Sequence, residues 1–161
     1  MRHGPAEDHS PTGRDADRAL TASGRDRVRS VAKALADGDE SPVEILSSPL
    51  VRAVQTAEIV AAVAKPENAV EIRREIAPAG DMLALLDELF AKDKKRVMIV
   101  GHEPDLSGLA FDLTGRPLTM GMQKAMVVGV KLSADEPRPG HAWRSTLRFV
   151  LDPKSLAWQR A

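Results

Sequence analysis

Apolar residues in the first part of the chain recur at the spacing of an amphipathic helix. Four of them occupy positions i, i+3, i+4 and i+7, namely Val28, Val31, Ala32 and Leu35. This spacing places them on one helical face, so we predict a helix that follows Thr21, a suitable N-cap, and ends near Ala36. Gly38 follows it, and we expect this glycine to take the left-handed conformation that ends many helices.

The rest of the chain alternates between short apolar runs and longer amphipathic segments. Ser48 is predicted as the N-cap of a second helix, because Pro49 suits the first helical position, where its missing N–H is not needed. Residues 97–100 are consecutive apolar residues, as expected for a strand buried on both faces. The helices after the first are predicted at about 49–64, 81–90 and 105–114, and the other strands at about 43–46, 70–73, 125–132 and 145–151.

This order of elements indicates the fold class. Strands that alternate with helices as far as Thr114 favour an α/β fold of three layers, with a mostly parallel sheet and helices on both faces. The last two strands are joined by a polar loop without a helix, so we expect them to pair antiparallel at one edge. A chain of 161 residues is most simply one domain, 1–161. The polar residues 5–19 predict a surface loop that could cover a site beside it.

Charge and cysteine content argue against several classes of protein. Lys and Arg together number 23, as do Asp and Glu, so the formal net charge is zero, and we expect neither nucleic-acid binding nor membrane association. Because we find no apolar run of membrane-spanning length, we also expect no transmembrane segment. The absence of cysteine excludes disulfides, thiolate metal sites and cysteine nucleophiles. It is compatible with the cytosol, and we expect a cytoplasmic protein.

Three short stretches carry the candidate chemistry. They are Arg-His-Gly at 2–4, Ser-Ser-Pro-Leu-Val-Arg at 47–52 and Gly-His at 101–102. Each falls where the C-terminal end of a parallel strand is expected. Ligands of such sheets bind beyond these ends, so we predict that the three stretches share one site.

The residue types of these stretches suit a phosphate. A guanidinium can bond two phosphate oxygens at once, which makes Arg2 and Arg52 candidate ligands, although Arg52 could equally be an ordinary solvated helix residue. His3 could attack phosphorus and carry it as phosphohistidine, against the alternative of an N-terminal histidine without function. His102 could support the phosphate as a cationic donor, against the alternative of a loop histidine.

Other chemistries have little support in the sequence. Four histidines are present, His3, His9, His102 and His141. No two have the spacing of a helical metal pair, and without cysteine a zinc site would need ligands from distant loops, so we expect no metal. The glycine-rich motifs of nucleoside triphosphate and dinucleotide sites are missing, and so is the serine elbow of hydrolases.

Four motifs taken together have a specific order and spacing. They are Arg-His-Gly at 2–4, Arg-Ala-Leu-Thr-Ala-Ser-Gly at 18–24, Ser-Ser-Pro-Leu-Val-Arg-Ala-Val-Gln-Thr-Ala at 47–57 and Val-Gly-His-Glu-Pro-Asp-Leu at 100–106. In these the chain resembles the histidine phosphatase superfamily, in its phosphoglycerate-mutase-like branch. Within that branch the short chain is similar to the SixA-type phosphohistidine phosphatases.

The resemblance implies a set of site residues. His3 is then the nucleophile that becomes phosphorylated, and Arg2, Arg52 and His102 complete the phosphate pocket. Gly4 belongs to the substrate-binding residues beside His3. The family's reaction needs neither a metal nor an organic cofactor.

Two further residues and one segment follow from the same resemblance. Arg18 is expected to reach the phosphate from the loop. Glu75 lies near the place of the family's general acid, and whether it is that acid or a surface charge stays open. Members of the family normally have a short apolar strand before Arg-His-Gly, and here only Met1 precedes that motif, so the first strand is expected to be missing or truncated.

The leading hypothesis is a metal-independent phosphatase that forms a phosphohistidine on His3. Its substrate would be a phosphorylated protein, such as one carrying phosphohistidine, or a small phosphomonoester. One alternative is a catalytically impaired phosphate-binding or regulatory module of the same fold. Another is an interaction domain without affinity for phosphate. The oligomeric state is left open.

Overall fold

The structure is a computed structural model that describes residues 1–118 and 120–161. Its helices are α1 (Ala22–Asp37), α2 (Val51–Ala64), α3 (Met82–Ala91) and α4 (Asp105–Thr114). Its strands are β1 (Glu44–Ser47), β2 (Glu71–Ile72), β3 (Val97–Val100), β4 (Val127–Ser133), β5 (Arg144–Leu151) and β6 (Trp158–Arg160). Short 3₁₀ turns cover Asp15–Asp17 and Arg74–Ile76.

The strands form two sheets of three. The first has the order β2-β1-β3 and is parallel, with Ser47 of β1 opposite Val100 of β3. The second has the order β4-β5-β6 and is antiparallel. The N-terminal residues join them, because Arg2 forms a parallel bridge with Gly101 and its backbone N–H donates to the carbonyl of Met126 at 3.1 Å. The predicted α/β class, with its antiparallel edge, is confirmed.

Helices cover both faces of this arrangement, as predicted. Apolar residues of α1 and α2, such as Val31 and Ala57, share one buried cluster with Ile45 of β1. Residues of α3 and α4, such as Leu85 and Leu106, form a second cluster on the opposite face. Each fully buried aliphatic side chain of this kind stabilises the fold by about 1.5–3 kcal/mol. None of the helices in the described residues is both long and apolar enough to cross a membrane.

A cavity marks the place where the sequence predicts a missing strand. Residues 1–3 form an isolated bridge there and no strand. Met1 is buried, and its amino group donates to the carbonyl of Ile99 at 2.8 Å. Beyond Met1 a cavity of about 730 Å³ separates β3 from β4, and it is lined largely by apolar side chains that include Ile99 and Val128. Between the facing edges of β3 and β4 the N-terminal residues bond to both sides.

The helix ends differ from the predictions in two places. Thr21 caps α1 as predicted, its hydroxyl accepting from the backbone N–H of Gly24 at 2.9 Å. Gly38 is not left-handed, since its φ is −86°, and Asp39 takes the left-handed conformation with φ 56°. A Cβ on Gly38 would lie 2.8 Å from the ring of Trp158, so this glycine allows close packing against β6. The N-cap of α2 is Leu50, two residues after the predicted Ser48.

Candidate active site

The candidate site lies where β1 and β3 end and the N-terminal residues cross between the sheets. The backbone N–H of His3 donates to the carbonyl of Gly101 at 3.1 Å, and this bond brings the N-terminus beside His102. The rings of His3 and His102 have centroids 5.2 Å apart. Both residues are buried, with 6% of His3 and 4% of His102 exposed. The stretches predicted to share a site therefore meet.

His3 is held in a single tautomer. Its Nδ1 lies 2.7 Å from the carbonyl oxygen of Gly4, and because that oxygen can only accept, Nδ1 carries the proton. Nε2 is then left with its lone pair. The pKa of His3 is lowered to about 3, chiefly by burial; the nearby charges of Arg52 and Arg2 act in the same direction, and the Gly4 bond opposes them. At neutral pH His3 is thus an uncharged imidazole with a nucleophilic nitrogen.

Gly4 allows the backbone to approach α1 and α2 closely. Its N–H donates to the hydroxyl of Thr56 at 3.0 Å, and that hydroxyl donates to the carbonyl of Arg52 at 2.7 Å. A Cβ on Gly4 would lie 2.6 Å from a methyl carbon of Val28, closer than side chains tolerate. Because Gly4 has no side chain, its backbone can pack against both helices, and this contact positions the adjacent His3.

The hydroxyl of Ser48 determines the tautomer of His102. Ser48 Oγ lies 2.7 Å from Nε2 of His102 and accepts from the backbone N–H of Leu50 at 3.3 Å. Among the described residues, Nε2 of His102 is the one acceptor within reach of the buried hydroxyl proton. Ser48 therefore donates to Nε2, and the ring proton of neutral His102 lies on Nδ1.

The Nδ1 atom of His102 is a buried donor without a partner in the described part of the chain. The pKa of His102 is lowered to about 4, chiefly by burial and in addition by the charge of Arg52. At neutral pH the ring of His102 is therefore uncharged in the unliganded site. The ring remains a donor through Nδ1–H, so it can bind an anion without carrying a charge of its own.

Arg52 is nearly enclosed, with 8% of its side chain exposed, and is already paired. Its Nη1 donates to the backbone carbonyl of Asp15 at 2.7 Å, and its Nη2 donates to the Asp15 carboxylate at 2.9 Å. Arg18 donates to the other carboxylate oxygen of Asp15 at 2.8 Å. The 3₁₀ turn of the loop thus holds a carboxylate between Arg52 and Arg18, two of the three arginines predicted to bind phosphate.

Arg2 belongs to a network that sequence reasoning missed. Its Nη1 donates to the carbonyl of Met122 at 2.7 Å, and the N–H of Met122 donates to the hydroxyl of Ser107 at 3.0 Å. Ser107 in turn donates to Glu103 at 2.6 Å. Burial lowers the pKa of Arg2, while the negative charge of Glu103 opposes this shift. Glu103 thus supports Arg2 through its charge and through Ser107. In the sequence, its position directly after His102 was the one sign of this role.

Glu75 lies in an ion cluster. Arg73 bonds its carboxylate at 2.7 Å and also bonds Glu88 at 2.6 Å. The hydrogen bond from Arg73 holds the pKa of Glu75 below its usual range. An ionised carboxylate cannot donate a proton, so this environment favours the surface-charge interpretation of Glu75 over that of a general acid.

The assembled site has the properties of an anion pocket. Two uncharged imidazoles face each other, one with a lone pair on Nε2 of His3 and one with a free Nδ1–H on His102. The guanidinium groups of Arg2 and Arg52 supply fixed positive charge. A nucleophilic nitrogen close to several hydrogen-bond donors suits transfer of a phosphoryl group.

Comparison with known proteins agrees with this chemistry. Residues 1–77 match the model of the histidine phosphatase superfamily (branch 1). An uncharacterized protein of Picosynechococcus sp. is 36% identical over 141 residues, which are 83% of this chain and 84% of that protein.

Solved structures share the fold over nearly the whole chain. The protein histidine phosphatase SixA, complexed with tungstate, superposes with a TM-score of 0.84 at 27% identity, covering 98% of this chain and 97% of the other. A protein of Agrobacterium tumefaciens assigned as a phosphohistidine phosphatase SixA gives a TM-score of 0.75 at 25% identity, with 95% of each chain covered. The chain therefore belongs to branch 1 of the histidine phosphatase superfamily and is a phosphatase of the SixA type.

Proposed function

We propose that the protein hydrolyses phosphohistidine through a phosphohistidine intermediate on His3. The observation that carries the proposal is the fixed tautomer of His3, which leaves Nε2 with its lone pair in a ring that lies beside His102 and is exposed to the charges of Arg2 and Arg52. A small phosphomonoester would be a second kind of substrate for the same pocket. The scheme uses no metal and no cofactor, because the donors that neutralise the phosphoryl charge come from the chain itself.

The first step transfers the phosphoryl group to His3. Nε2 attacks phosphorus in line, the N–P bond of the phosphohistidine substrate breaks, and the leaving imidazole takes a proton from water. In the second step water attacks phosphorus, the Nε2–P bond breaks, and orthophosphate leaves while His3 returns to its neutral form. The proton that the attacking water releases neutralises the hydroxide left by the first step. Charge on the equatorial oxygens is stabilised by Arg2, Arg52 and the Nδ1–H of His102.

The leaving group explains why a strong acid is not required. An N–P bond to imidazole is labile, and the departing ring needs little protonation. Glu75 is ionised and bound to Arg73, which fits a site without a carboxylic acid at that position. The leaving group of an alkyl phosphomonoester is an alkoxide unless an acid protonates it. We therefore expect phosphohistidine to be turned over faster than an alkyl phosphate.

Single replacements of histidine test the role of His3. We expect His3→Ala to lower kcat for a phosphohistidine peptide at least about a thousandfold, because the nucleophile is lost. His9→Ala is the matched control, since His9 is exposed in the following loop, and it should keep full activity. Full activity of the His3→Ala variant would overturn the proposal. Vanadate binding without any turnover by the wild type would favour the phosphate-binding module instead.

A further inference from the structure

The carboxylate of Asp15 occupies Arg52, a donor that the proposed mechanism assigns to phosphate. One oxygen accepts from Arg52 and the other from Arg18, at 2.9 and 2.8 Å. We propose that Asp15 is an internal anion that competes with the substrate phosphate for Arg52 and thereby sets the affinity of the site for anionic ligands. This inference rests on the proposed function, in which Arg52 binds the phosphoryl group.

The two partners of this ion pair differ in their freedom to move. Only 8% of the Arg52 side chain is exposed, against 63% of the Asp15 side chain. The 3₁₀ turn Asp15–Asp17 contributes no buried residue to the core. Withdrawal of Asp15 therefore costs no apolar packing, whereas Arg52 is held by its surroundings. When a ligand arrives, Asp15 is the partner that leaves.

The loop has other anchors that do not depend on Asp15. Ala6 bridges Leu20, and the N–H of Glu7 donates to the carbonyl of Ala19 at 2.9 Å. Near the tip, the hydroxyl of Thr12 donates to Asp17 at 2.5 Å. Asp15 can thus release Arg52 by a local change while the base of the loop stays in place.

The negative charge of Asp15 allows it to compete with phosphate for Arg52. Hydrogen bonds from Arg18 and Arg52 hold the pKa of Asp15 below its usual range, so the carboxylate is charged at every pH near neutrality. Its charge also reaches His102, whose pKa it raises against the larger effect of burial. A phosphate dianion offers Arg52 more negative charge than a carboxylate does, so it can displace Asp15 but must do so against its competition.

An affinity measurement with neutralised Asp15 tests the inference. Asp15→Asn keeps an oxygen that can accept from Arg52 and removes the charge, and Asp15→Ser removes the charge with a shorter side chain. Asp17→Asn is the matched control, because Asp17 lies in the same turn and pairs with Arg14 and Thr12 rather than with Arg52. The probes are orthophosphate and vanadate, titrated by calorimetry at constant pH and ionic strength.

If Asp15 competes with phosphate, both Asp15 variants bind the probes at least about threefold more tightly than the wild type, since a larger fraction of the protein has Arg52 available. Asp17→Asn should match the wild type. Unchanged or weaker binding by both Asp15 variants would overturn the inference and make Asp15 a support for Arg52. A wild type that binds neither anion would instead refute the proposed function, and the inference with it.

Discussion

Ser48 Oγ and His102 Nε2 lie 2.7 Å apart, and this contact places the ring proton of His102 on Nδ1. The contact depends on the register of the parallel sheet, in which Ser47 pairs with Val100. Ser48, the first residue after β1, is thereby brought beside His102, the second residue after β3. A buried hydroxyl thus prepares an uncharged histidine as a hydrogen-bond donor.

Loss of this hydroxyl should impair the reaction. In Ser48→Ala the proton of His102 can move to Nε2, so Nδ1 no longer donates to the phosphoryl oxygens, and we expect kcat to fall about tenfold or more. The ¹⁵N shifts of His102 should show the change of tautomer, which a merely structural effect would not produce. Ser23→Ala, at an exposed position in the first turn of α1, is the control. A Ser48→Ala variant with wild-type kcat would contradict this role.

The buried histidines should make stability depend on pH. The pKa values of His3 and His102 are lowered from 6.5 to about 3 and about 4, so below pH 6.5 the unfolded chain binds protons that the folded chain does not. The free energy of unfolding should therefore fall as the pH drops from 6.5, by about 1–2 kcal/mol per histidine at pH 5.

Urea denaturation at several pH values measures this dependence. In His102→Asn one of the two contributions is absent, and the slope of unfolding free energy against pH should decrease between pH 6.5 and about 4. His9→Asn, at an exposed histidine, is the control and should keep the wild-type slope. An identical slope for His102→Asn and wild type would show that His102 titrates normally.

The network behind Arg2 should affect phosphate binding. Ser107→Ala removes the acceptor for the N–H of Met122. Because the carbonyl of Met122 accepts from Arg2, we expect the position of Arg2 to change. KM should then rise about three- to tenfold, with a smaller change in kcat. Thr114→Ala is the control. Thr114 lies in the same helix, and in the described part of the chain its hydroxyl bonds Ala110 of α4 and Arg116 just beyond it. Equal KM values for both variants and the wild type would argue against this network.

Glu75 should be dispensable for catalysis. Because it is ionised and bound to Arg73, we expect Glu75→Gln to keep kcat and its pH profile within about twofold of the wild type. Steady-state kinetics with a phosphohistidine peptide from pH 5 to 9 would measure this. Loss of the alkaline limb of the profile in this variant would make Glu75 the general acid after all.

The cavity between β3 and β4 should accept an added strand. An extension of about five residues with alternating Val and Leu, placed before Met1, can pair with both edges and bury apolar side chains, and we expect Tm to rise by about 3–8 °C. An extension of the same length built from Gly and Ser is the control and should give little change. Equal Tm values for both extensions would show that the cavity does not bind a strand.

Much of the site followed from the order of the motifs, because parallel strands place their C-terminal ends at one edge. That argument brought His3, His102 and Arg52 together, and the structure places them so. The fold class followed from the alternation of helices and strands. β6 escaped prediction because it is three residues long and mostly polar, with only Trp158 packing on Phe149.

The parts that escaped prediction depend on tertiary contacts. Asp15 is one of several charges in a polar loop, and no pattern there distinguishes it from Asp8 or Asp17. Ser48 looked like a helix cap because it precedes Pro49, yet its hydroxyl bonds His102. Nothing in the sequence indicated that His102 is uncharged in the unliganded site, because the burial that lowers its pKa is a property of the folded chain.

We expect Nε2 of His3 to carry the phosphoryl group during turnover. The direct measurement is ³¹P NMR and peptide mass spectrometry of the protein quenched in alkali during hydrolysis of a phosphohistidine peptide. The expected result is one acid-labile phosphohistidine, located at His3 and bonded through Nε2, which is absent from His3→Ala. Phosphate on another residue, on Nδ1 of His3, or on no residue during rapid turnover would contradict it.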